Sequence, residues 1–432
     1  MEREQKLPKV LVVGINAWRE GGTTHTLMDI FRCWDPERLA LVYTRADLPN
    51  TKVCENYFQI SESQVLKSVF KPWKTVGRVV KNTGTVDIKE AKLEHERYAK
   101  AHKKNSSLLP LLREFVWKFG RWKSKELKEF VNQFDPDIIF IPIYPTAYMG
   151  RIQRYITKLT GKPTVCYLAD DNYSYDSCDT LWRYLHRFWL RRHVAPIAKN
   201  CSQMFVIVEK EKEDTDQRFG TDSVILTKGI DFTTRTFEPV NITTPIKFVY
   251  TGSMVIGRDK TLALLADAIN KVNSDGNVKA ELYIYSQTQP SDEILSRINV
   301  GASHYCGRVG RDEVIEIQKN AHVVVFAEAL SGKEANAAKL SFSTKITDYL
   351  SNGKCILAIG KDYIAPIDYF TRNDSALVAS DVDSIANRVQ EIIETPSLIN
   401  EYGSKAFECA RRNHDKRIVA ERFVSVMKKA VR

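Results

Sequence analysis

The sequence predicts an α/β protein with two doubly wound, Rossmann-like parallel-sheet domains that face each other across a cleft. Apolar, strand-like runs alternate with helical patterns along almost the whole chain, and the alternation restarts near residue 246. Repeated βα units of this kind form parallel sheets with right-handed crossovers. The 432 residues can supply two apolar cores that fold without disulfides or metals.

The first half of the chain supplies six strand-like runs that are apolar on both faces, as buried parallel strands are. Helical patterns follow most of them. The predicted strands are residues 9–15, 39–44, 137–143, 163–169, 201–208 and 223–229, and the predicted helices are residues 23–34, 147–160, 178–198 and 209–219. Together they predict an N-terminal domain over residues 1–235.

The second half repeats the pattern. Its predicted strands are residues 246–252, 280–286, 304–310, 322–328, 354–360 and 375–380, with helices between them and over residues 381–395, 397–411 and 414–431. Residues 231–245 are rich in threonine and contain two prolines without a helical period, so we expect the interdomain linker there. These patterns predict a C-terminal domain over residues 246–413 and a last helix, 414–432, that can pack back on the N-terminal domain.

Residues 61–130 break the βα rhythm, and we interpret them as a basic helical insertion in the N-terminal domain. The chain has a net charge of +11, and this segment holds 17 Lys/Arg against 8 Asp/Glu, while residues 181–200 add five bases and no acids. Trp, Phe and Leu alternate with the bases, as on surfaces that bind anionic membranes. A solvated helical hairpin is the alternative. Nucleic acid is not an expected partner, because the sequence contains no recognition motif.

The cysteines and the N-terminus predict a cytoplasmic protein with peripheral contact to the inner face of a membrane. None of the eight cysteines has C-x-x-C spacing, and we expect them to be reduced and buried. The first 15 residues contain no apolar run that could form a signal-peptide core. The most apolar window, residues 137–150, is too short to span a bilayer and contains two prolines.

Two glycine loops each follow a predicted strand and open a predicted helix. In Gly21-Gly22-Thr23-Thr24, glycine lets backbone amides approach a ligand and the helix N-terminus favours an anion; a plain tight turn is the alternative. In residues 251–260, Arg258 and Lys260 stand where the helix begins. Two cations beside a helix N-terminus suit a diphosphate, whereas the alternative is a solvated loop with ordinary surface charges.

A third motif lies within residues 340–360, where Ser343 and Thr344 can cap a predicted helix. Lys345 and Asp348 share one face of this helix because they are three residues apart. A lysine together with a carboxylate suits a phosphate and a ribose diol. A surface ion pair of little energetic value is the alternative.

A fourth motif, Asp170-Asp171, directly follows a predicted strand. Paired carboxylates can bind a metal, orient a sugar or serve as a base, and a capped turn is the alternative. His186 and His193 are seven residues apart on a predicted helix, but no third ligand accompanies them, so zinc is not expected. We expect no metal cofactor, because basic side chains can neutralise a diphosphate.

The order of these landmarks resembles that of family 4 of the retaining GT-B glycosyltransferases. The C-terminal half carries the resemblance through LTKGIDF, FVYTGS with a downstream lysine, HYCGRVGRDEVIEIQKNAHVVVFAE and FSTKITDYLSNGKCILAIG. The last stretch is similar to the family's K-x-x-E-Y-x-x-x-G-K-P-V-x-A segment. The N-terminal half matches more loosely. The resemblance implies a GT-B fold and transfer of a sugar, with retention, from a nucleotide diphosphate sugar to a lipid-linked, polysaccharide or other glycan acceptor.

The resemblance also implies roles for individual residues. Lys260 matches a lysine that contacts the donor diphosphate, Lys345 matches the basic residue of the K-x-x-E segment, and Asp348 stands where its glutamate holds the ribose. We assign catalytic roles to Lys260, Lys345 and Asp170. The other donor contacts are assigned to Gly22, Gly252, Ser253, Arg258, Val309, Ser343, Thr344 and Asp348, and the acceptor contacts to Gly21, Thr23 and Asp171.

Several departures from the family pattern leave alternatives open. Ser253 replaces the usual arginine, so Arg258 is expected to substitute for it, and Leu340 stands where a glutamate is common, with Glu328 and Glu334 off register. The usual histidine of the N-terminal domain is not evident, and Asp170 or Asp171 occupies a comparable strand end. The alternatives are an inverting transferase with Asp170 or Asp171 as base, a nucleotide-sugar epimerase, and a non-catalytic GT-B-like binding protein.

Overall fold

The structure is a computed structural model that describes residues 6–20, 26–71, 73–81 and 109–431. It divides into two compact units. Unit 1 comprises residues 1–207, 212–227 and 419–432, and unit 2 comprises residues 208–211 and 228–418. Each unit is built on one sheet, so the predicted α/β fold with two parallel-sheet domains is confirmed.

Unit 1 contains eight strands in its described part. They are β1 (Val10–Val13), β2 (Leu39–Tyr43), β3 (Asn56–Gln59), β4 (Arg78–Val80), β5 (Ile138–Pro142), β6 (Thr164–Leu168), β7 (Gln203–Val206) and β8 (Val224–Ile225). The sheet order is β4-β3-β2-β1-β5-β6-β7-β8, and neighbours are parallel apart from β3 and β4. Residues of β1, β2, β5 and β6 are buried throughout, because helices cover both faces of such a sheet.

The helices of this half match the predicted pattern closely. They are α1 (Thr26–Ile30), α2 (Glu62–Phe70), α3 (Leu109–Phe119), α4 (Lys125–Phe134), α5 (Ala147–Thr160), α6 (Leu181–Asn200) and α7 (Glu209–Phe219). Helix α5 ends where Gly161 adopts a left-handed φ of 64°, the usual glycine C-cap. Helices α5 and α7 have the predicted bounds.

Unit 2 is built on six parallel strands. They are β9 (Ile246–Thr251), β10 (Ala280–Tyr285), β11 (Ser303–Gly307), β12 (Val323–Ala327), β13 (Cys355–Ile359) and β14 (Leu377–Ala379). Their order is β11-β10-β9-β12-β13-β14, so the chain builds outward from β9 in one direction and then returns to the other side at β12. This is the doubly wound order 3-2-1-4-5-6.

The helices of this half complete the βα pattern. They are α8 (Arg258–Val272), α9 (Asp292–Ile298), α10 (Arg311–Lys319), α11 (Gly332–Asn336), α12 (Thr344–Ser351), α13 (Ala365–Arg372), α14 (Val382–Glu394), α15 (Ser397–His414) and α16 (Lys416–Val431). The chain leaves unit 2 within α16, since residues from Val419 onward belong to unit 1.

The segment 61–130 is not wholly helical, which corrects the prediction. Its described part contains α2, α3 and α4, but β4 also lies in it and pairs with β3 in antiparallel register. The sequence signal for both strands is weak because they are short and contain polar residues. Gln59 is nevertheless buried, since its amide donates to the carbonyl oxygens of Arg45 and Ala46. Residues 82–108 lie outside the described part of the chain.

Residues 231–245 lie on unit 2 instead of bridging two domains. The Val240 amide donates to Asn400 Oδ1 at 2.7 Å, and the Phe237 ring packs 6.3 Å from that of Phe407. Apart from the short segment 208–211, which also groups with unit 2, the chain passes between the units at residues 227–228 and 418–419. The threonines and prolines therefore mark an irregular segment that is held by contacts with α15.

Two further observations concern the cysteines and the helices. All eight cysteines are free thiols, but Cys33 and Cys306 are exposed, which corrects the expectation that all are buried. Among the described residues, we find no helix that combines the length and the apolar character needed to cross a bilayer.

Helix α16 supplies part of the core of unit 1. Phe423 is fully buried, and its ring lies 5.0 Å from Phe31, 5.6 Å from Trp34, 6.1 Å from Phe140 and 5.6 Å from Phe205. Other α16 side chains in this cluster are Val419, Val426, Met427 and Ala430. These contacts cover one face of the unit 1 sheet.

We expect Phe423→Ala to lower the free energy of unfolding of unit 1 by about 3–5 kcal/mol, because it leaves a cavity among four aromatic rings. All seven tryptophans lie in unit 1, so tryptophan fluorescence during urea unfolding reports on this unit. Phe70→Ala is the matched control, since Phe70 is 75% exposed, and should change stability by no more than about 0.5 kcal/mol. Equal unfolding midpoints for the two variants would contradict this account of α16.

Candidate functional site

The candidate site lies where the strand order of unit 2 reverses. Strands β9 and β12 are neighbours, but the chain leaves β9 toward β10 and leaves β12 toward β13. The loops after β9 and β12 therefore diverge at the carboxyl edge of the sheet, where ligands of doubly wound domains bind. The residues that follow these strands are Gly252 and Glu328.

Lys345, in the first turn of α12, holds its ammonium group over Gly252. A Cβ built on Gly252 would lie 1.7 Å from Lys345 Nζ, and the φ of Gly252 is +151°. Any other residue would displace the lysine and strain the backbone. The glycine and the lysine therefore form one feature, in which a bare stretch of backbone lies beneath a cation.

The environment of Lys345 disfavours its charge. Burial, and to a lesser extent the positive charge of Arg258, lower the pKa of Lys345 to about 8, against an opposing effect of Glu328. The ammonium lies 5.5 Å from the centroid of the Tyr250 ring, a favourable cation–π distance. Among the described residues, this ammonium has no hydrogen-bond or ion-pair partner. The group is thus a desolvated cation that an anion would stabilise.

Arg258, the first residue of α8, is fixed by Glu328. Its Nε and Nη2 donate to the two carboxylate oxygens at 2.9 and 2.8 Å, and the Glu328 side chain is 5% exposed. Thr261 Oγ1 donates to the Glu328 carbonyl oxygen at 2.9 Å, which ties α8 to the end of β12. The bidentate pair orients the guanidinium and cancels most of its charge.

The loop between β9 and α8 is held in a strained conformation. Ile256 has a φ of +59°, which is rare for a β-branched residue, and Gly257 follows at +74°. Tyr250 Oη donates to the Ser253 carbonyl oxygen at 2.6 Å, and the Ser253 and Thr288 hydroxyls lie 3.2 Å apart. Strain of this kind persists only where surrounding contacts enforce it.

Lys260 occupies a different position from Lys345. It lies in the first turn of α8, its side chain is 65% exposed, and its Nζ lies 3.4 Å from Glu334 Oε2. Glu334 lies close over Gly257, since a Cβ on Gly257 would meet the same oxygen at 2.6 Å. The two lysines assigned to catalysis therefore have different environments, and Lys345 is the desolvated one.

Helix α12 presents the remaining residues of the third motif. The Ser343 hydroxyl caps the helix by accepting from the Lys345 amide at 3.4 Å, and Thr344 is the first helical residue. Asp348 Oδ1 accepts from Lys228 Nζ at 2.6 Å, and the Asp348 side chain is 46% exposed. Lys228 and Asp348 lie 120 positions apart, so no sequence spacing marks Lys228 as the partner of this carboxylate.

Some assigned residues lie away from this group or outside the described chain. Val309 is half-buried in the loop after β11, two strands from β9 in the sheet. Gly21, Gly22 and Thr23 lie outside the described residues. Asp170 and Asp171 belong to unit 1 and directly follow β6.

Asp171 caps a turn, the alternative reading of its motif. Its Oδ1 accepts from the amides of Tyr173 and Ser174 at 3.1 and 2.8 Å, its Oδ2 accepts from the Ser174 hydroxyl, and Arg187 lies 3.7 Å away. Burial alone would raise the pKa of Asp171, but the hydrogen bonds from Ser174 and Tyr173 and the charge of Arg187 outweigh it and lower the pKa. The Asp171 carboxylate is therefore a weak base. The neighbouring Asp170 is exposed to solvent.

The arrangement around Gly252 suits an anion. It combines a desolvated lysine, a glycine without a Cβ, an oriented arginine and the start of α8 at the carboxyl edge of the sheet. Within the part of the chain that the structure describes, no three His, Cys, Asp or Glu side chains are grouped as metal ligands would be.

No protein-family model matches the sequence, and no curated protein matches it. Solved structures do match its fold. Sucrose-phosphate synthase from Thermosynechococcus elongatus has a TM-score of 0.61 at 11% identity, covering 97% of this chain and 98% of its own. Anabaena HepE in complex with UDP has a TM-score of 0.62 at 10% identity, covering 97% and 99%.

A third match is TarM, with a TM-score of 0.60 at 10% identity over 97% of this chain and 98% of its own. At such low identities the likeness establishes the fold alone. The chain therefore has the two-domain GT-B fold along nearly its whole length, as the resemblance of its sequence motifs implied.

We expect Lys345→Met to stabilise unit 2 by about 1–3 kcal/mol at pH 7, because the folded state holds this charge at a pKa of about 8 instead of 10.5. As pH falls from 10.5 to 8, Lys345 becomes protonated in the unfolded state before it does in the folded state. Lys345 therefore destabilises the folded state increasingly across this window, and the loss of stability is complete below it. The gain from the substitution should therefore vanish above about pH 10.5. Urea unfolding followed by circular dichroism at several pH values measures it.

Lys354→Met is the matched comparison and should have the opposite effect. Burial also lowers the pKa of Lys354, but its ammonium donates to the carbonyl oxygens of Lys319 and Ala321. Removing it leaves two buried acceptors without a donor. If Lys345→Met also lowers stability at pH 7, the lysine is not the desolvated, unpaired cation described above.

Proposed function

We propose that this protein is a glycosyltransferase that moves a sugar from a nucleotide diphosphate sugar to a lipid-linked, polysaccharide or other glycan acceptor. The observation that carries the proposal is the Lys345 ammonium over Gly252 at the switch point of the unit 2 sheet. A lysine beside accessible backbone suits a diphosphate. The fold supports the proposal, since HepE was solved with UDP and with UDP-glucose and another structural match is named a glycosyltransferase.

The chemistry of transfer explains why a desolvated lysine is useful. The bond between the anomeric carbon and the diphosphate oxygen breaks, the acceptor oxygen bonds to that carbon, and the acceptor hydroxyl loses its proton. Negative charge grows on the leaving diphosphate. Lys345 is mostly protonated at neutral pH because its pKa is about 8, so it can stabilise this charge in a site with little water. Contacts that strengthen toward the transition state raise turnover.

The other assigned residues have supporting roles in this proposal. Arg258 contributes an oriented but largely neutralised guanidinium, and Lys260 offers a more exposed cation at the same helix start. Ser253, Ser343, Thr344 and Val309 stay assigned to the donor, and the transfer needs no divalent metal. Retention follows from the family resemblance. Inversion with Asp170 as base is the alternative, and NMR of the product anomer distinguishes the two.

The acceptor side of the proposal includes an anionic membrane surface. Helix α6 exposes Trp182, Phe188 and Trp189, each by more than 40%, and α3 exposes Phe115 and Phe119 by more than 50%. These rings lie on elements rich in Lys and Arg. Aromatic and basic residues together suit the interface of an anionic bilayer, where a peripheral enzyme would meet a lipid-linked acceptor.

We expect Lys345→Ala to lower kcat by about 10²–10³, the effect of losing one preorganised charge-stabilising donor. A thermal-shift screen of UDP-, GDP- and dTDP-sugars first identifies the donor, because a ligand of the native state raises Tm. Steady-state kinetics then compares Lys345→Ala with Lys271→Ala, which removes a lysine from the far end of α8. Normal turnover by a folded Lys345→Ala enzyme would refute the central role of this residue.

We expect Asp348→Asn to weaken donor binding by about 1–3 kcal/mol, the range for a hydrogen bond to a charged group. Asp348 also pairs with Lys228, so Lys228→Met is the comparison variant. If Asp348 binds the ribose, Lys228→Met should weaken donor affinity much less than Asp348→Asn does in calorimetry. Equal losses would mean that the ion pair, and not a ribose contact, is responsible.

A further inference from the structure

Unit 1 contains a cavity of about 880 Å³ that has no role in the proposed transfer. It is lined by the connection between α3 and α4, one side of α5, the later turns of α6 and the sheet residues Ile141 and Thr164. Thr164 is the first residue of β6, so the cavity extends to the amino edge of the sheet. It is thus distinct from the strand-end positions where Asp170 and Asp171 lie.

The lining of this cavity is strongly basic. Six of its 17 lining residues are Lys or Arg, and none of these described residues is Asp or Glu. The six bases are Lys118, Arg121, Lys123, Arg151, Arg154 and Lys158. A surface with this charge attracts anions, and walls of low dielectric focus the field.

Four buried polar atoms of the lining residues have no hydrogen-bond partner among the residues that the structure describes. They are Arg151 Nε, Tyr155 Oη, Thr157 Oγ1 and His193 Nδ1. Buried polar groups are normally paired, and each unpaired one costs free energy. Four such atoms around one cavity indicate a place for a polar ligand. Arg151 Nη2 donates to Glu114 Oε2 at 2.8 Å, which leaves Nε as an unpaired donor among the described residues.

The electrostatics of His193 support the same conclusion. Burial, followed by the charges of Arg151 and Arg154, lowers the pKa of His193 to about 4. Burial is the larger cause, and the two arginines add a positive potential at the imidazole. A bound anion would balance it.

A favourable interaction with the dipole of α5 does not explain why these six basic residues lie around the cavity. Cations near a helix C-terminus stabilise the macrodipole, and Lys158 lies in the last turn of α5. Arg151 and Arg154 lie before the last turn of α5, where that effect is weak. Lys118, Arg121 and Lys123 come from a separate part of the chain, the last turn of α3 and its connection to α4. The bases therefore converge on the cavity and not on one helix end.

We propose that this cavity is a binding site for an organic phosphate. The phosphate would lie among Arg151, Arg154, Lys158 and the unpaired hydroxyls, since guanidinium and ammonium groups are the preferred partners of phosphate oxygens. Inorganic phosphate alone is too small for a space of this volume. The apolar walls, Trp117, Trp122, Ile141 and Ile197, suit an attached hydrocarbon or ring.

Calorimetry with octyl phosphate and inorganic phosphate tests the proposal. We expect octyl phosphate to bind at least about tenfold more tightly, because its chain is buried against the apolar walls. The double variant R154Q/K158Q should weaken octyl phosphate binding by about tenfold or more, since it removes two exposed charges at the site. K125Q/K128Q, on the exposed side of α4, makes the same change in net charge and should alter affinity by less than about twofold.

Two conservative variants test the unpaired hydroxyls. Tyr155→Phe and Thr157→Val should leave the Tm of the ligand-free protein unchanged or raise it, because each removes an unpaired buried hydroxyl. Both should weaken octyl phosphate binding by about two- to tenfold. A lower Tm with unchanged affinity would show that the hydroxyls are structural and would count against the site.

Vesicle co-sedimentation identifies the source of the phosphate. Binding to phosphatidylglycerol but not phosphatidylcholine vesicles, lost in R154Q/K158Q and kept in K125Q/K128Q, would assign the site to a lipid headgroup. Octyl phosphate binding without vesicle binding would assign it to a soluble organic phosphate. If octyl phosphate does not bind and vesicle binding is the same in both double variants, the proposal is wrong. None of these readouts uses the donor site, so the result is independent of the transferase proposal.

Discussion

The packing of the last helix against unit 1 is the contact on which the two-unit organisation depends. A parallel sheet must be covered on both faces. On one face of the unit 1 sheet α16 supplies part of the cover, with Phe423 buried among Phe31, which follows α1, Phe140 of β5 and Phe205 of β7. The core of unit 1 therefore requires the end of the chain, and unit 2 is an insertion between two parts of unit 1.

The geometry of the candidate site in unit 2 lowers the free energy of unfolding of this unit. Lys345 is desolvated, Gly252 adopts a conformation that other residues avoid, and Ile256 is strained. Each feature lowers the stability of the empty protein, and each lies around the same loop. Such features concentrate where a ligand supplies the missing interactions. Glu328 limits the cost, because it neutralises Arg258 and raises the pKa of Lys345 against the larger effect of burial.

The sequence could predict the strands and the glycine loops because these depend on local patterns. Buried parallel strands are short apolar runs, and glycine before a helix marks a turn at any such strand. The partners of the charged residues depend on strand order instead. Glu328 meets Arg258 because β12 returns beside β9, and Lys228 reaches Asp348 across 120 positions in sequence. Neither pair has a sequence spacing that could reveal it, although the doubly wound order made the first one predictable in principle.

The two anion sites differ in how their charge is balanced. Around Gly252 the carboxylate of Glu328 pairs with Arg258, so the net positive charge at this site is modest. The cavity in unit 1 has six bases and no carboxylate among its lining residues, and Glu114 engages Arg151 from outside the lining. The other five bases of the lining keep this cavity more strongly positive than the surroundings of Gly252. This cavity explains part of the excess of Lys and Arg over Asp and Glu in residues 61–130. Three bases of that segment, namely Lys118, Arg121 and Lys123, line the cavity together with bases of α5.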